Sequence, residues 1–272
     1  MNNIEYKNNK IYIKNATNFD LAQTLDCGQA FRWSVDEQGV WTGIAFNKYI
    51  RIYHDGNDII IENSSEQDFK NIWQHYFDLD RDYGEIIKTV STDQTVKTAA
   101  EFSHGIRLLN QDSWEALCSF IISQNNNIPR IKGIIERLCK NFGDKIAGGY
   151  TFPNAQKIAL LSIDDLAVIR SGFRAKYIID AAQKVASGEI DLEALKTTDY
   201  NTACDILMQI KGVGPKVADC VLLYGLGHIE AFPRDVWIKR ALTELFDGDL
   251  PECARVYAGI VQQYIFHYIR NK

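Results

Sequence analysis

Two residues set at helix mouths carry the clearest chemical promise: Lys216 in KGVGPKVADC (211–220) and Asp235 in FPRDVW (232–237). Lys216 falls in the first turn of a helix that Pro215 opens. Desolvation and the positive end of that helix both disfavour its charged form. A neutral amine attacks carbon of carbonyl or oxocarbenium character and can close a Schiff base. A lone lysine is more often a solvated side chain, so the weight falls on Asp235. Pro233 ends an extended segment and Asp235 takes the N-cap of the next helix, where plain capping is a serious competitor. A carboxylate held there could also stabilise positive charge growing on a substrate, or take a proton from Lys216. The sequence leaves these roles open. Cys220 follows Lys216 by one helical turn, so both can face the same cavity.

The element that positions Lys216 reads as a helix–hairpin–helix: a helix over 200–209, a turn Ile210-Lys211-Gly212-Val213-Gly214, and a helix over 215–224 stopped by Gly225. Gly212 and Gly214 allow backbone conformations closed to residues with a Cβ and let the chain approach a ligand closely. Successive N–H groups there, with the helix N-terminus behind them, can cradle a phosphate. Such a unit reads nucleic-acid backbone rather than bases. A G-x-G alone is a weak signal, and the neighbouring residues give it force. A non-catalytic binding module would need only the hairpin; Lys216, Cys220 and Asp235 together argue for more.

The rest of the chain divides by period. Residues 11–13, 40–46, 49–53 and 59–62 are short, β-branched and aromatic, separated by turns such as His54-Asp55-Gly56-Asn57-Asp58, and predict an antiparallel sheet followed by a helix or two near 66–90. From about residue 98 the period is helical. Asp112 and Glu115 form a capping box, and Trp114, Leu117, Cys118 and Ile121 mark one buried helix face. Asn125 to Pro129 break the pattern, and Ile131, Ile134, Ile135 and Leu138 carry a new helix. Further helices fit 176–186, 235–246 and 252–269, the last with a stripe of Tyr257, Ile260, Val261, Tyr264 and Ile265. The expected class is α+β: an N-terminal β-rich domain over 1–97 and a helical domain over 98–272.

Composition sets bounds. The 272 residues are 46% hydrophobic and 24% charged, the balance of a globular protein with a core. No apolar run is long enough to span a bilayer, and the polar start MNNIEYKNNK does not resemble a secretory signal, which predicts a cytoplasmic monomer with no membrane partner. The six cysteines lack close C-x-x-C spacing, so neither a metal nor another cofactor is expected. Net charge is −5, yet residues 128–142 carry Arg130, Lys132, Arg137 and Lys140 against Glu136 alone. A local basic face can bind phosphate whatever the overall charge.

Four stretches, CGQAFRW (27–33), GIRLLNQDSWEALCSFIISQNNNIPRIKGIIERLC (105–139), SGFRAKYI (171–178) and GVGPKVADC (212–220), occur in an order that is similar to the HhH-GPD superfamily of DNA glycosylases. Within it the chain resembles the 8-oxoguanine DNA glycosylase/AP lyase (Ogg1-type) enzymes over most of its length. The resemblance implies that Lys216 is the Schiff-base nucleophile and Asp235 the essential carboxylate, acting on double-stranded DNA that holds 8-oxoguanine opposite cytosine. It implies that Gly28 offers its carbonyl to the N7–H that distinguishes 8-oxoguanine from guanine. Cys220 and Phe266 would sandwich the extruded base, Gln262 would read its polar edge and Pro233 would line the pocket. Asn125 would fill the gap left in the duplex, Arg130 and Arg174 would bond the unpaired cytosine, and Phe173 would wedge beside it.

The chain departs from the family pattern in places. Lys211 replaces the usual hairpin proline and could add a phosphate contact. Trp237 stands where eukaryotic members usually carry histidine, Ile269 where an acidic partner is expected, and Phe173 where tyrosine is frequent. An endonuclease III-type enzyme would keep the lysine and aspartate but normally has four clustered cysteines for an iron–sulfur cluster. An alkylpurine glycosylase would keep the aspartate and have no need of Lys216.

Overall fold

A computed structural model describes residues 3–8 and 10–272. Six strands form one sheet: β1 Asn3–Lys7, β2 Lys10–Lys14, β3 Trp33–Val35, β4 Trp41–Ala45, β5 Lys48–Asp55 and β6 Asp58–Glu62, in the order β1-β2-β6-β5-β4-β3. Period-two patterning sets its faces. Ile11 and Ile13 of β2 are buried while Lys10, Tyr12 and Lys14 stay partly exposed, and Ile50 and Ile52 repeat this in β5. β6, flanked by β2 and β5, buries Ile59, Ile60 and Ile61. Phe46 and Asn47, both with positive φ, make the two-residue turn whose twist suits the β4–β5 hairpin. The four expected strands are present; β1 and β3 join them at the two edges, where short, polar sequences gave no alternation to read.

Contacts divide the chain into two compact units, one of the chain up to Gly43 with Ile50–Asn110 and Ile229–Lys272, the other of Ile44–Tyr49 with Gln111–His228. In the first, the helical stretch from Glu66 to Tyr76 widens to a π turn over Phe69–Trp73. It brings aromatic rings onto the sheet: Phe69, Trp73, Tyr76 and Phe77 are buried, Trp73 stacks on Phe77 at 6.1 Å, and the Trp33 indole donates to the Tyr76 hydroxyl at 2.8 Å. Rings in such offset and edge arrangements each add about 0.5–1.5 kcal/mol beyond their buried area. Helices α1 Leu21–Leu25, α2 Tyr83–Val90 and α3 Gln94–Phe102 start on aspartate caps, Asp20, Asp82 and Asp93.

The second unit is mainly helical. α4 Ser113–Ser123 starts on Asp112, whose Oδ1 accepts from Glu115 N at 2.8 Å, as the capping box predicts. It is buried nearly all round, from Ala116 to Ile122, rather than on one face. The helices packed on it are α5 Ile128–Phe142, α6 Ala175–Ala186 and α8 Pro215–Gly225, and α7 Tyr200–Leu207 precedes α8. Trp114 stays half-buried, its indole donating to Pro153 O at 2.9 Å. α8 runs through Gly225 instead of stopping before it. A Cβ at Gly225 would lie 2.8 Å from the Ala116 Cβ, so a bare α-carbon permits the close approach of α4 and α8. A two-stranded hairpin, β7 Lys145–Ile146 and β8 Gly149–Tyr150, was not anticipated.

The chain then returns to the first unit with α9 Val236–Leu245 and α10 Ala258–Asn271. The single helix expected over 252–269 is broken into a turn at Glu252–Arg255 and α10. Tyr257 leaves helical geometry (φ −118°, ψ 36°), and Gly259 donates its N–H to Ile229 O at 2.8 Å rather than along its own helix. α10 packs on α3, with Ser103 Oγ bonded to Tyr264 O at 3.2 Å.

Candidate functional site

In the second unit the hairpin is built as its residue types require. α7 closes with bonds from Gln209 N to Ile206 O and Ile210 N to Leu207 O, and Val213 N returns to Ile210 O at 3.0 Å. Gly212 lies at φ +81°, and a Cβ there would meet the Tyr177 ring at 2.4 Å. Gly214, at φ −107° with open space around it, is the N-cap of α8. Within the described residues the N–H groups of Gly212, Gly214 and Lys216 carry no hydrogen bond. Together with the α8 N-terminus they make a cluster of donors suited to an anion. Asp180, buried on α6, holds the hairpin from behind, accepting the Lys211 N–H at 2.8 Å and the Lys211 ammonium at 3.1 Å. Gly212→Ala is expected to lower stability by about 2–3 kcal/mol through a left-handed backbone and the Tyr177 clash. Gly214→Ala is expected to cost under about 1 kcal/mol. Chemical denaturation of both variants checks the contrast.

Lys216 is half-buried at the second position of α8. Its Nζ sits over the Phe120 ring, 5.7 Å from the centroid. Cys220, one turn later, is 3% exposed. The two helices of the motif are tied by a bond from the Tyr200 hydroxyl at the start of α7 to Asp219 Oδ1 at 2.5 Å.

The asparagine run divides its labour. Asn127 caps α5 through Arg130 N at 3.0 Å, and Asn126 donates to Ile122 O at 3.1 Å. Asn125 turns the chain at φ +45° with its side chain exposed. Arg174 braces that turn. It is 2% exposed, and its guanidinium donates to the carbonyls of Gln124 and Ser171 and, at 3.1 Å, of Asn125. Burial first, and then the Arg130 charge nearby, lower its pKa. Arg130 is exposed, and Phe173, half exposed, stacks under the Arg174 guanidinium at 4.5 Å and meets Tyr177 edge-on at 5.9 Å.

The first unit holds the other candidates. Asp235 is the N-cap of α9, its Oδ1 accepting from Ile238 N at 2.8 Å. The carbonyl of buried Pro233 accepts both Asp235 N and the Gln262 side-chain amide, each at 3.3 Å. The approach to Asp235 is thereby tied to α10. Gln262 is 3% exposed, and Phe266, one turn later, is half-buried. Gly28 adopts φ +84° between two anchored neighbours. The Cys27 thiol donates to Thr24 O, and burial pushes its pKa up to about 12. Gln29, fully buried, donates to Thr24 O and Arg107 O and accepts from Leu109 N, all at 2.8–2.9 Å.

Gln29 joins two of the sequence stretches singled out above and was not read as a positioning residue, nor were Phe120, Asp180 and Asp219. Among the described residues no three His, Cys, Asp or Glu side chains are grouped to hold a metal ion, and no helix is long and apolar enough to cross a membrane. Within the second unit, the hairpin and the half-buried amine one residue past its proline make a set suited to gripping a phosphodiester and attacking an electrophilic carbon beside it.

Comparison with known proteins bears on this set. Residues 11–117 match the family described as 8-oxoguanine DNA glycosylase, N-terminal domain, and residues 118–250 match the HhH-GPD superfamily base excision DNA repair protein. An N-glycosylase/DNA lyase of Saccharomyces cerevisiae is 32% identical over 266 residues, covering 87% of this chain and 70% of the relative. A solved structure of MBOgg1 with a low-affinity DNA ligand superposes with a TM-score of 0.93 at 43% identity, covering 100% of this chain and 99% of the other. The 8-oxoguanine glycosylase/lyase of Clostridium acetobutylicum, solved with double-stranded DNA containing cytosine opposite 8-oxoG, gives a TM-score of 0.93 at 40% identity, covering 98% and 97%.

Proposed function

The chain belongs to the 8-oxoguanine DNA glycosylase family of the HhH-GPD superfamily, and from that premise we propose that it excises 8-oxoguanine from duplex DNA through a Lys216 imine and nicks the abasic strand. It is a bifunctional glycosylase and DNA lyase of base-excision repair. One observation carries the chemical reading: Lys216 stands half-buried directly after a hairpin whose N–H groups are open to a phosphate. The element that grips the DNA backbone thus also delivers the amine to a sugar.

The lone pair of Lys216 Nζ bonds to C1′ as the glycosidic bond breaks, its electrons leaving with the base, which takes up a proton. Opening of the sugar ring places a protonated imine on C1′. Loss of the C2′ proton then expels the 3′ phosphate with the C3′–O electrons. Asp235 supplies negative charge while the sugar becomes cationic. Removing the base from the stack costs a few kcal/mol, which contacts to both strands offset.

Gly28 is assigned to the N7–H of the oxidised base, where guanine presents an acceptor and would oppose the same carbonyl. Its neighbours support that assignment, since Cys27 and Gln29 fix the backbone on either side. Pro233, Gln262 and Phe266 are assigned to the base pocket, and Cys220, one turn from Lys216, to a face of the same base. Asn125 is assigned to the gap in the duplex, Arg130 and Arg174 to the unpaired cytosine, and Phe173 to the step beside it. The bonds of Arg174 to its own loop give it a further part, holding the Asn125 turn in shape. Lys211, Gly212 and Gly214 are assigned to backbone phosphate.

Borohydride trapping on duplexes with 8-oxoguanine opposite each of the four bases tests the proposal. A covalent adduct is expected, most abundant opposite cytosine. Hairpin-dependent binding without any adduct would mean that the chain binds DNA by another logic and forms no imine.

A further inference from the structure

We propose that Phe120 is a positioning residue for the reaction, its ring face seating the nitrogen of Lys216 and holding it once it carries positive charge as the iminium joined to C1′. The proposal rests on the reading of Lys216 as the imine-forming residue. Its geometry lies wholly within the second unit. Lys216 Nζ sits over the Phe120 ring at 5.7 Å from the centroid. Among the described residues the amine has no ion pair and no side-chain hydrogen bond, so the ring is the group that receives it.

The ring has little freedom to turn aside. Phe120 is 3% exposed on α4 and stacks on Tyr224 of α8 at 5.2 Å with an interplanar angle of 22°. The same two helices meet closely at Ala116 and Gly225. Lys216 and Tyr224 lie on α8 and Phe120 on α4, so the packing that brings these helices together also sets the ring under the amine. An aromatic face carries negative potential and attracts a cation within about 6 Å, more strongly where water is excluded.

The charge balance gives this contact a chemical consequence. Attack on C1′ uses the nitrogen lone pair and releases the base with the glycosidic electrons. The nitrogen loses a proton, the C1′–O4′ bond breaks as O4′ takes one up, and the C1′–N double bond then carries one positive charge at the nitrogen. Addition of water to C1′ with release of a proton discharges it. A ring face at this distance favours the charged imine over the neutral adduct and raises its steady-state population. Phe120 takes no part in bond making; it acts through Lys216.

A graded series of 4-fluoro-, 3,5-difluoro- and 3,4,5-trifluorophenylalanine at position 120 tests this. Fluorine strips negative potential from the ring face while scarcely changing its volume. With 8-oxoguanine duplex and limiting borohydride, the trapped fraction is expected to fall stepwise, about fivefold by the trifluorinated ring. Duplex affinity and melting temperature should hold constant along the series. A role in packing alone would leave trapping flat. Flat trapping in the series, with normal trapping by the wild type, overturns the proposal and leaves the imine reading intact. No adduct in the wild type overturns both. If the trifluorinated variant melts early, the first two members still carry the slope.

Discussion

Lys216→Gln is expected to abolish both the borohydride-trapped adduct and strand nicking on 8-oxoguanine duplexes, a loss of at least about three orders of magnitude in single-turnover rate. Glutamine keeps most of the side-chain length, retains a polar end and has nearly the helix propensity of lysine. It lacks a lone pair able to attack C1′. Lys216 is only half-buried and makes no ion pair among the described residues, so its replacement strands no buried charge. Stability should therefore remain within about 0.5 kcal/mol of the wild type, as is usual for surface changes. The hairpin donors belong to the backbone of Gly212, Gly214 and residue 216, and the substitution leaves all of them in place. Duplex affinity should change by no more than a few-fold, since the donors suited to phosphate are retained. The variant is thus expected to bind, fold and stay inert. Measurement of melting, anisotropy and single-turnover kinetics on one preparation separates these terms. Retained nicking by Lys216→Gln would assign the nucleophile elsewhere.

Much of this site was legible because backbone constraints are written in residue type. A positive φ at Gly212, a proline opening α8 and an aspartate capping α9 follow from local sterics and hydrogen bonding, and each stands where the sequence placed it. Residues whose roles depend on distant partners were not legible. Gln29 reads as one polar residue in CGQAFRW, and only the fold brings it to Arg107 O, 78 positions away. Phe120 opens the apolar run Phe120 to Ile122, where every member suits a core, and the one lying under an amine has no mark in sequence. The break before α10 has the same origin. It depends on the Ile229 carbonyl drawing the Gly259 N–H, whereas the stripe from Tyr257 to Ile265 is continuous in period. The bracing by Arg174 was hidden for a similar reason: the resemblance assigns this residue to the unpaired cytosine, while the Gln124 and Asn125 carbonyls it bonds belong to a turn some fifty residues earlier.

Asp235→Asn is expected to lower the excision rate by about 10²–10⁴ while leaving stability nearly unchanged. The carboxylate caps α9 and is assigned a part in the chemistry, two tasks that a single deletion would confound. As an N-cap, Oδ1 accepts from Ile238 N at 2.8 Å, and asparagine offers a carbonyl oxygen at the same place with nearly equal capping strength. The link from Asp235 N to Pro233 O is a backbone bond and also survives. What asparagine cannot supply is negative charge toward a sugar that becomes cationic, or a base for a proton on Lys216. Asp235→Ala removes the cap as well and should cost about 1 kcal/mol more in stability, with an excision rate no lower than that of Asp235→Asn once the folded fraction is counted. Equal activity of Asp235→Asn and wild type at equal stability would reduce Asp235 to a cap. Trapping on a preformed abasic duplex distinguishes the two chemical tasks. A carboxylate that only stabilises the departing-base transition state is dispensable once the base is gone, so Asp235→Asn would trap there at the wild-type rate. A carboxylate that deprotonates Lys216 is needed on either substrate, and both rates would fall together.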